Sequence, residues 1–245
     1  MMSSPDQRTC KHLDPALIES VMSPRSGPER RAILMFSGGR DSTLAALQLR
    51  ESGYNPVLVT ISSSHLTGRE NVRRRVRELA RHLSPETPWI LIRQPDELKT
   101  DTSFYEQTCL PCHHAYVVAG AAVAAKAGLA SLAFGYAAYQ NTWPEQTPLA
   151  VVRLARVLAR HGTELILPVY NLASRDEAIA QLEAKGLSAG ALEQKCILQI
   201  TNVELEPHRL RQQIDFWEKA IDTSIRVVDT IKIQVLEALN LGSVL

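Results

Sequence analysis

Short apolar runs that do not alternate with polar residues, each followed by an amphipathic segment, constrain this chain more than any other feature. AILMF (32–36) precedes DSTLAALQLRESG, in which Leu44, Leu47 and Leu49 recur with helical spacing up to Gly53. PVLVTIS (56–62), WILIR (89–93), SLAFGY (131–136) and ELILPVY (164–170) repeat the strand pattern. NVRRRVRELARHL (71–83), the alanine-rich AYVVAGAAVAAKAG, LAVVRLARVLARHG (149–162) and SRDEAIAQLEAKG (174–186) read as helices, the last opened by a Ser174 cap with Glu177 three residues on. A strand buried on one face alternates, whereas an unbroken apolar strand is covered on both. The expected class is therefore α/β: a parallel sheet with helices on both faces.

Three parts are expected: an extension over 1–30 with a short helix near 15–22, a main domain over 31–205, and a C-terminal amphipathic helix over 206–245. In that last part Leu210, Ile214, Trp217, Ile221, Ile225, Val228, Ile231, Val235 and Leu239 recur every three or four residues. Such a stripe either packs on the core or forms a coiled-coil-like homodimer seam. The first thirty residues hold no signal-peptide run and no stretch is long enough to span a membrane, so the cytoplasm is the expected address. With 27 Lys+Arg against 26 Asp+Glu, the chain as a whole carries no basic footprint, and any RNA contact needs a local patch. One candidate is the 71–83 helix region, where Arg69, Arg73, Arg74, Arg75, Arg77 and Arg81 are expected to face solvent, either simply hydrated or against phosphates.

SGGRDS (37–42) sits at the first strand-to-helix turn, where free backbone N–H groups and the helix dipole favour an anion. Gly38 and Gly39 allow a phosphate close to the backbone, Ser37 and Ser42 add hydroxyl donors, and Asp41 suits a magnesium ion. It is not the GxxxxGK[ST] loop of kinases and GTPases.

The loop resembles the SGGxDS signature of the PP-loop ATP pyrophosphatases, and the resemblance runs from about Arg31 to Cys196. It implies an α/β fold that binds ATP and Mg2+ at the strand ends, splits ATP into AMP and pyrophosphate, and adenylates an oxygen that a nucleophile then displaces. By that resemblance Ser37, Gly38, Gly39, Arg40, Asp41 and Ser42 hold the phosphates, Thr60, Ile61 and Ser62 lie by the adenosine, and Gly135 lines the same crevice.

Of four cysteines, Cys109 and Cys112 form CLPCHH, Cys196 lies far along the chain, and Cys10 falls in the extension. From residue type alone CLPCHH could hold zinc with His113 or His114, act as a thiol relay, carry haem, or be simply buried. The CxxC…C set resembles the tRNA-thiolating branch of the PP-loop family. There, three cysteines carry a [4Fe-4S] cluster with one iron open to sulfur. That resemblance makes Cys109, Cys112 and Cys196 metal ligands and catalytic residues, with Asp41 beside them. The chain departs from the branch in placing Gln140 where an acidic residue usually follows the fourth-strand glycine, which leaves His113, His114 and Glu145 as chemical candidates for proton transfer. The expected activity is an ATP-dependent sulfur transferase acting on a nucleobase-containing or small-molecule acceptor, tRNA included, with sulfide or a persulfide carrier as donor. The alternative is a PP-loop synthase or ligase using a nitrogen nucleophile, with a structural zinc or no metal. QNTWPEQTP bears a faint resemblance to the synthase that makes the nitrile of the queuosine precursor.

Overall fold

A computed structural model describes residues 30–98, 108–198 and 203–245. The extension with Cys10 and its expected helix lies outside them, except for Arg30. In chain order the elements are β1 (Arg30–Met35), α1 (Arg40–Glu51), β2 (Tyr54–Ser62), β3 (Leu66–Thr67), α2 (Arg69–Leu79), β4 (Pro88–Arg93) and α3 (Leu110–Lys126). They continue as β5 (Ser131–Phe134), α4 (Pro148–Arg160), β6 (Glu164–Ile166), α5 (Arg175–Ala184), β7 (Lys195–Cys196), α6 (Pro207–Ile225) and β8 (Gln234–Asn240).

Six strands form one sheet in the order β6-β5-β1-β2-β4-β8. All pairs are parallel except β4–β8. Successive side chains on a strand point to opposite faces, and the core divides accordingly. Ile33, Met35, Val57 and Val59 pack towards α3, α4 and α6, while Ala32, Leu34 and Leu58 pack towards α1, α2 and α5. Both faces are buried, and all nine residues of β2 are inaccessible, as its unbroken apolar run requires. Small residues on α3 let it lie close to the sheet: a side chain at Gly120 would come within 2.8 Å of Leu132 and Met35.

The C-terminal segment differs from a single long helix. α6 stops at Ile225, and 234–240 becomes an antiparallel edge strand paired with β4, Trp89 opposite Leu239. The three-to-four spacing continues past Ile225, but Ile231, Ile233 and Val235 also alternate, and the β-branched residues there favour a strand. The stripe on α6, Ile214, Trp217, Ile221 and Ile225, is spent on the core rather than on a dimer seam. Among the described residues no helix is long and apolar enough to cross a membrane.

Candidate functional site

The β1–α1 turn is built around backbone amides. Gly38 takes a left-handed φ of 84°, and a Cβ there would lie 2.9 Å from the Leu192 carbonyl, so only glycine fits. Gly39 caps α1 without a side-chain cap, leaving first-turn N–H groups for a ligand. The Ser37 hydroxyl accepts from the Gly39 N–H at 3.1 Å and lies 3.0 Å from the Ser42 hydroxyl. Thr43 ties the turn from below, donating to the Gly39 carbonyl at 2.6 Å. Gly135, just past β5, lets that strand meet the loop: a Cβ would stand 2.5 Å from the Ser42 nitrogen.

The loop opens into a cavity of about 320 Å3 at the C-terminal edge of the sheet. Its polar half holds Ser37, Gly39, Arg40, Asp41, Ser42, Arg175 and Glu193; its other half is walled by Met35, Val59, Phe134, Tyr116 and Tyr136. Thr60 and Ile61 line it as well. The Thr60 hydroxyl is already committed, donating to the Phe36 carbonyl at 2.6 Å and accepting from the Trp89 indole at 3.0 Å. Ser62 is buried and is absent from the cavity wall.

Asp41 accepts from the Tyr139 hydroxyl at 2.8 and 3.0 Å, and from the Gln140 amide. Gln140 thus occupies the expected place of the acid as a donor to Asp41. Burial raises the Asp41 pKa above 3.8; Tyr139 and Arg40 oppose the shift, and the Glu193 carboxylate adds to it. Two carboxylates, Asp41 and Glu193, beside a phosphate-type loop match what a magnesium ion shared with phosphates needs. The residue types and placement fit that ion.

The cysteine end adjoins the apolar half. Cys109 caps α3 and Cys112 lies in its first turn. The third cysteine arrives through a two-residue ladder in which Cys196 pairs with Leu66 and the Ile197 N–H donates to the His65 carbonyl at 3.0 Å. His65 in turn places its Nε2 3.6 Å from the Cys112 sulfur. Burial, then the nearby Cys196 and Glu145, push the Cys112 thiol up to about 11. A thiol held protonated is a poor free nucleophile, and a bound cation would draw out its thiolate. Among the described residues no three His, Cys, Asp or Glu side chains could hold a single metal ion. Cys109, Cys112 and Cys196 are soft donors of the kind that iron–sulfur clusters and zinc both take.

His113, next to Cys112, has both ring nitrogens engaged: Nδ1 lies 2.7 Å from the Tyr136 hydroxyl and Nε2 3.3 Å from the Glu145 carboxylate. Glu145 is 1% exposed, and its second oxygen has no hydrogen-bond partner. Burial lowers the His113 pKa, opposed by Glu145. His114 points elsewhere, its Nε2 3.0 Å from Ser224 on α6.

No family model and no curated protein matches the chain by sequence. Solved structures do match its fold. A 4-thiouridine synthetase, solved with RNA and bound ATP, superposes with a TM-score of 0.56 at 17% identity, over 85% of this chain and 55% of that one. The U34-tRNA thiolase NcsA from Methanococcus maripaludis, solved with its [4Fe-4S] cluster, gives 0.51 at 16% identity, over 88% of this chain and 76% of the thiolase. The chain shares their fold, the PP-loop, adenine nucleotide alpha hydrolase-like fold. It spans only about half the length of the synthetase.

Within this fold, Ser37, Gly39, Arg40, Asp41, Ser42, Thr60, Ile61 and Gly135 line one crevice, and Leu66 and His113 in its wall neighbour Cys196 and Cys112, while Gly38 lies behind the loop against Leu192 and Val72, and Ser62 and His114 stand apart. Sequence reasoning missed Arg175, Glu193 and His65; the first carried a signal, since it opens a capped helix after a strand, where anions bind. It also misplaced Arg75. That side chain is fully buried, donating to the carbonyls of Gly38 at 3.3 Å, Ser188 at 2.9 Å and Gly190 at 2.7 Å, with Glu78 at 2.7 Å. Arg69, Arg74, Arg77 and Arg81 remain exposed.

Proposed function

We propose that this chain is an ATP-dependent sulfur transferase that adenylates a carbonyl oxygen of a nucleobase-containing acceptor and replaces it with sulfur. The observation that carries this reading is the β3–β7 ladder, which returns Cys196 to the side of His65 and Cys112, at the rim of the crevice walled by SGGRDS. A nucleotide loop next to three thiols separated so widely in sequence is a costly arrangement for a module that only binds ATP.

The α1 N-terminus, Ser37, Ser42 and Arg175 bind the phosphates of ATP, and Asp41 with Glu193 would hold magnesium. The acceptor carbonyl oxygen attacks the α-phosphorus and pyrophosphate departs. A sulfur nucleophile then adds to the activated carbon, and AMP leaves with the original oxygen. Cys109, Cys112 and Cys196 would hold a [4Fe-4S] cluster, which supplies an open iron for the incoming sulfur when bound. Tyr136 and Phe134, stacked with ring centroids 5.0 Å apart, offer an apolar wall for a planar base. Tyr136 keeps its proton on the His113 Nδ1 side, and Glu145 orients His113 from behind. The exposed arginines of α2 supply contacts for an RNA backbone, so tRNA is the acceptor class favoured, with sulfide or a persulfide carrier as donor.

Anaerobic purification followed by iron, sulfide and zinc quantification tests the metal. Sulfur incorporation into tRNA from labelled sulfide, with ATP, tests the reaction. Cys112→Ala or Cys196→Ala abolishes incorporation, and Asp41→Ala stops pyrophosphate release while iron stays bound. Full activity in variants of all three cysteines would sink the reading, and zinc without iron in anaerobic protein would favour the nitrogen-nucleophile alternative.

A further inference from the structure

The turn between β2 and β3 delivers a histidine to the cysteine end. His65 Nε2 lies 3.6 Å from the Cys112 sulfur, within hydrogen-bond length for N–H···S, and the His65 carbonyl is bonded to the residue after Cys196. The Ser63 hydroxyl stands beside both ring nitrogens, 3.1 Å from Nδ1 and 3.2 Å from Nε2. A cysteine bound to metal is a thiolate, which only accepts hydrogen bonds. The imidazole must then carry its proton on Nε2, and Nδ1 accepts from Ser63. The order of donation runs Ser63 to His65 to Cys112. Direct ligation by His65 is the rival role, and the iron content of the His65 variants separates the two.

We propose that His65 is a positioning residue for the metal centre: its Nε2–H donates to the Cys112 thiolate, withdraws charge from that sulfur and so tunes the reduction potential and lability of whatever the three cysteines hold. Hydrogen bonds to ligating sulfurs are among the factors that set iron–sulfur potentials, and such outer partners affect how firmly a metal is held. The inference rests on reading the cysteines as ligands.

The test is an EPR-monitored redox titration of anaerobically purified full-length protein. His65→Phe, which keeps a ring and removes the donor, lowers the midpoint potential with iron and sulfide per chain unchanged. His65→Gln, whose amide donates from a similar place, returns most of the shift, and Ser63→Ala lowers the potential by less than His65→Phe. An unchanged midpoint in His65→Phe overturns the proposal. Loss of iron from both His65 variants also overturns it, because a ligand would have been removed. If the wild-type chain holds zinc and no iron, the sulfur-transfer reading fails separately, and the bond is read instead from zinc transfer to a chelator. Transfer is then faster in His65→Phe and near wild type in His65→Gln; equal rates in all three, or no metal in the wild type, overturn it.

Discussion

The two ends of the crevice are held in contrasting ways. At the phosphate end, Ser37 to Thr43 take their shape from neighbours in the chain: Gly38 is in its left-handed conformation, the Ser37 and Ser42 hydroxyls meet, Thr43 bonds the Gly39 carbonyl, and Gly135 is pressed against the helix start. The cysteine end is assembled from a helix N-terminus, a turn and a two-residue strand, joined by a two-residue ladder. Anion binding draws on backbone dipoles that any strand-to-helix turn supplies locally. On the proposed reading, the three cysteines would act as thiolates that repel one another until a cation arrives.

Hydrogen exchange gives the sharpest way to break that contrast. Amides of Leu66, Cys196 and Ile197 should exchange through local opening, while those of β1 and β2 exchange only near global unfolding, a difference of about 5 kcal/mol or more. Metal loading should slow the first set and leave the second alone; equal protection in metal-free protein would mean that the cysteine end is as rigid as the loop.

Arg75 joins the two ends, because it bonds Gly38 on the loop and Ser188 and Gly190 on the path to β7. Arg75→Ala leaves three carbonyls and Glu78 without their partner and should cost about 3–5 kcal/mol in urea unfolding, with ATP affinity and metal content both reduced. Gly135→Ala should act on one end only. Its methyl meets backbone atoms of Ser42 that cannot turn aside, so stability should fall by about 1–3 kcal/mol and ATP binding be lost, with metal content retained.

Asp41→Asn should move stability and function in opposite directions. Since burial raises the carboxyl above 3.8, the folded chain holds that proton more tightly than the unfolded one, and the charged group weakens the fold as pH rises past 3.8. Removing the charge should raise the neutral-pH Tm by roughly 2–4 °C, on the order of 1 kcal/mol, while pyrophosphate release stops. The smallest effect is expected away from the crevice. Arg226 and His161 hold Asp222 at about 2, so its contribution is present above the ordinary 3.8 and disappears as pH falls towards 2. Asp222→Asn should flatten acid unfolding in that window and leave both ends of the crevice unchanged.

Much of the architecture was legible because its signals are local. Unbroken apolar runs require a sheet covered on both faces, and β1, β2, β4, β5 and β6 appear where those runs lie. Ser174 caps α5 as its spacing implied, accepting from the Glu177 N–H at 3.1 Å. SGGRDS marked the glycine turn between β1 and α1 by itself, since a turn that exposes amides needs glycines and hydroxyls in adjacent positions. Helical periodicity misled at 226–240, where one set of residues satisfies both the helical and the strand repeat, and pairing with the free edge of β4 decides between them. It misled again at Arg75, because a charged residue on a helix reads as solvated until the carbonyls that surround it are known.

What the amino acids determined alone was therefore the sheet, its helices and the anion-binding turn, each set by residues within a few positions of one another. Tertiary structure alone decided that Gln140 serves Asp41, that Glu145 stands behind His113, and that Cys196 comes back to Cys112 past His65. Those contacts join residues distant along the chain, and their free energy comes from burial and pairing that exist only once the sheet has closed.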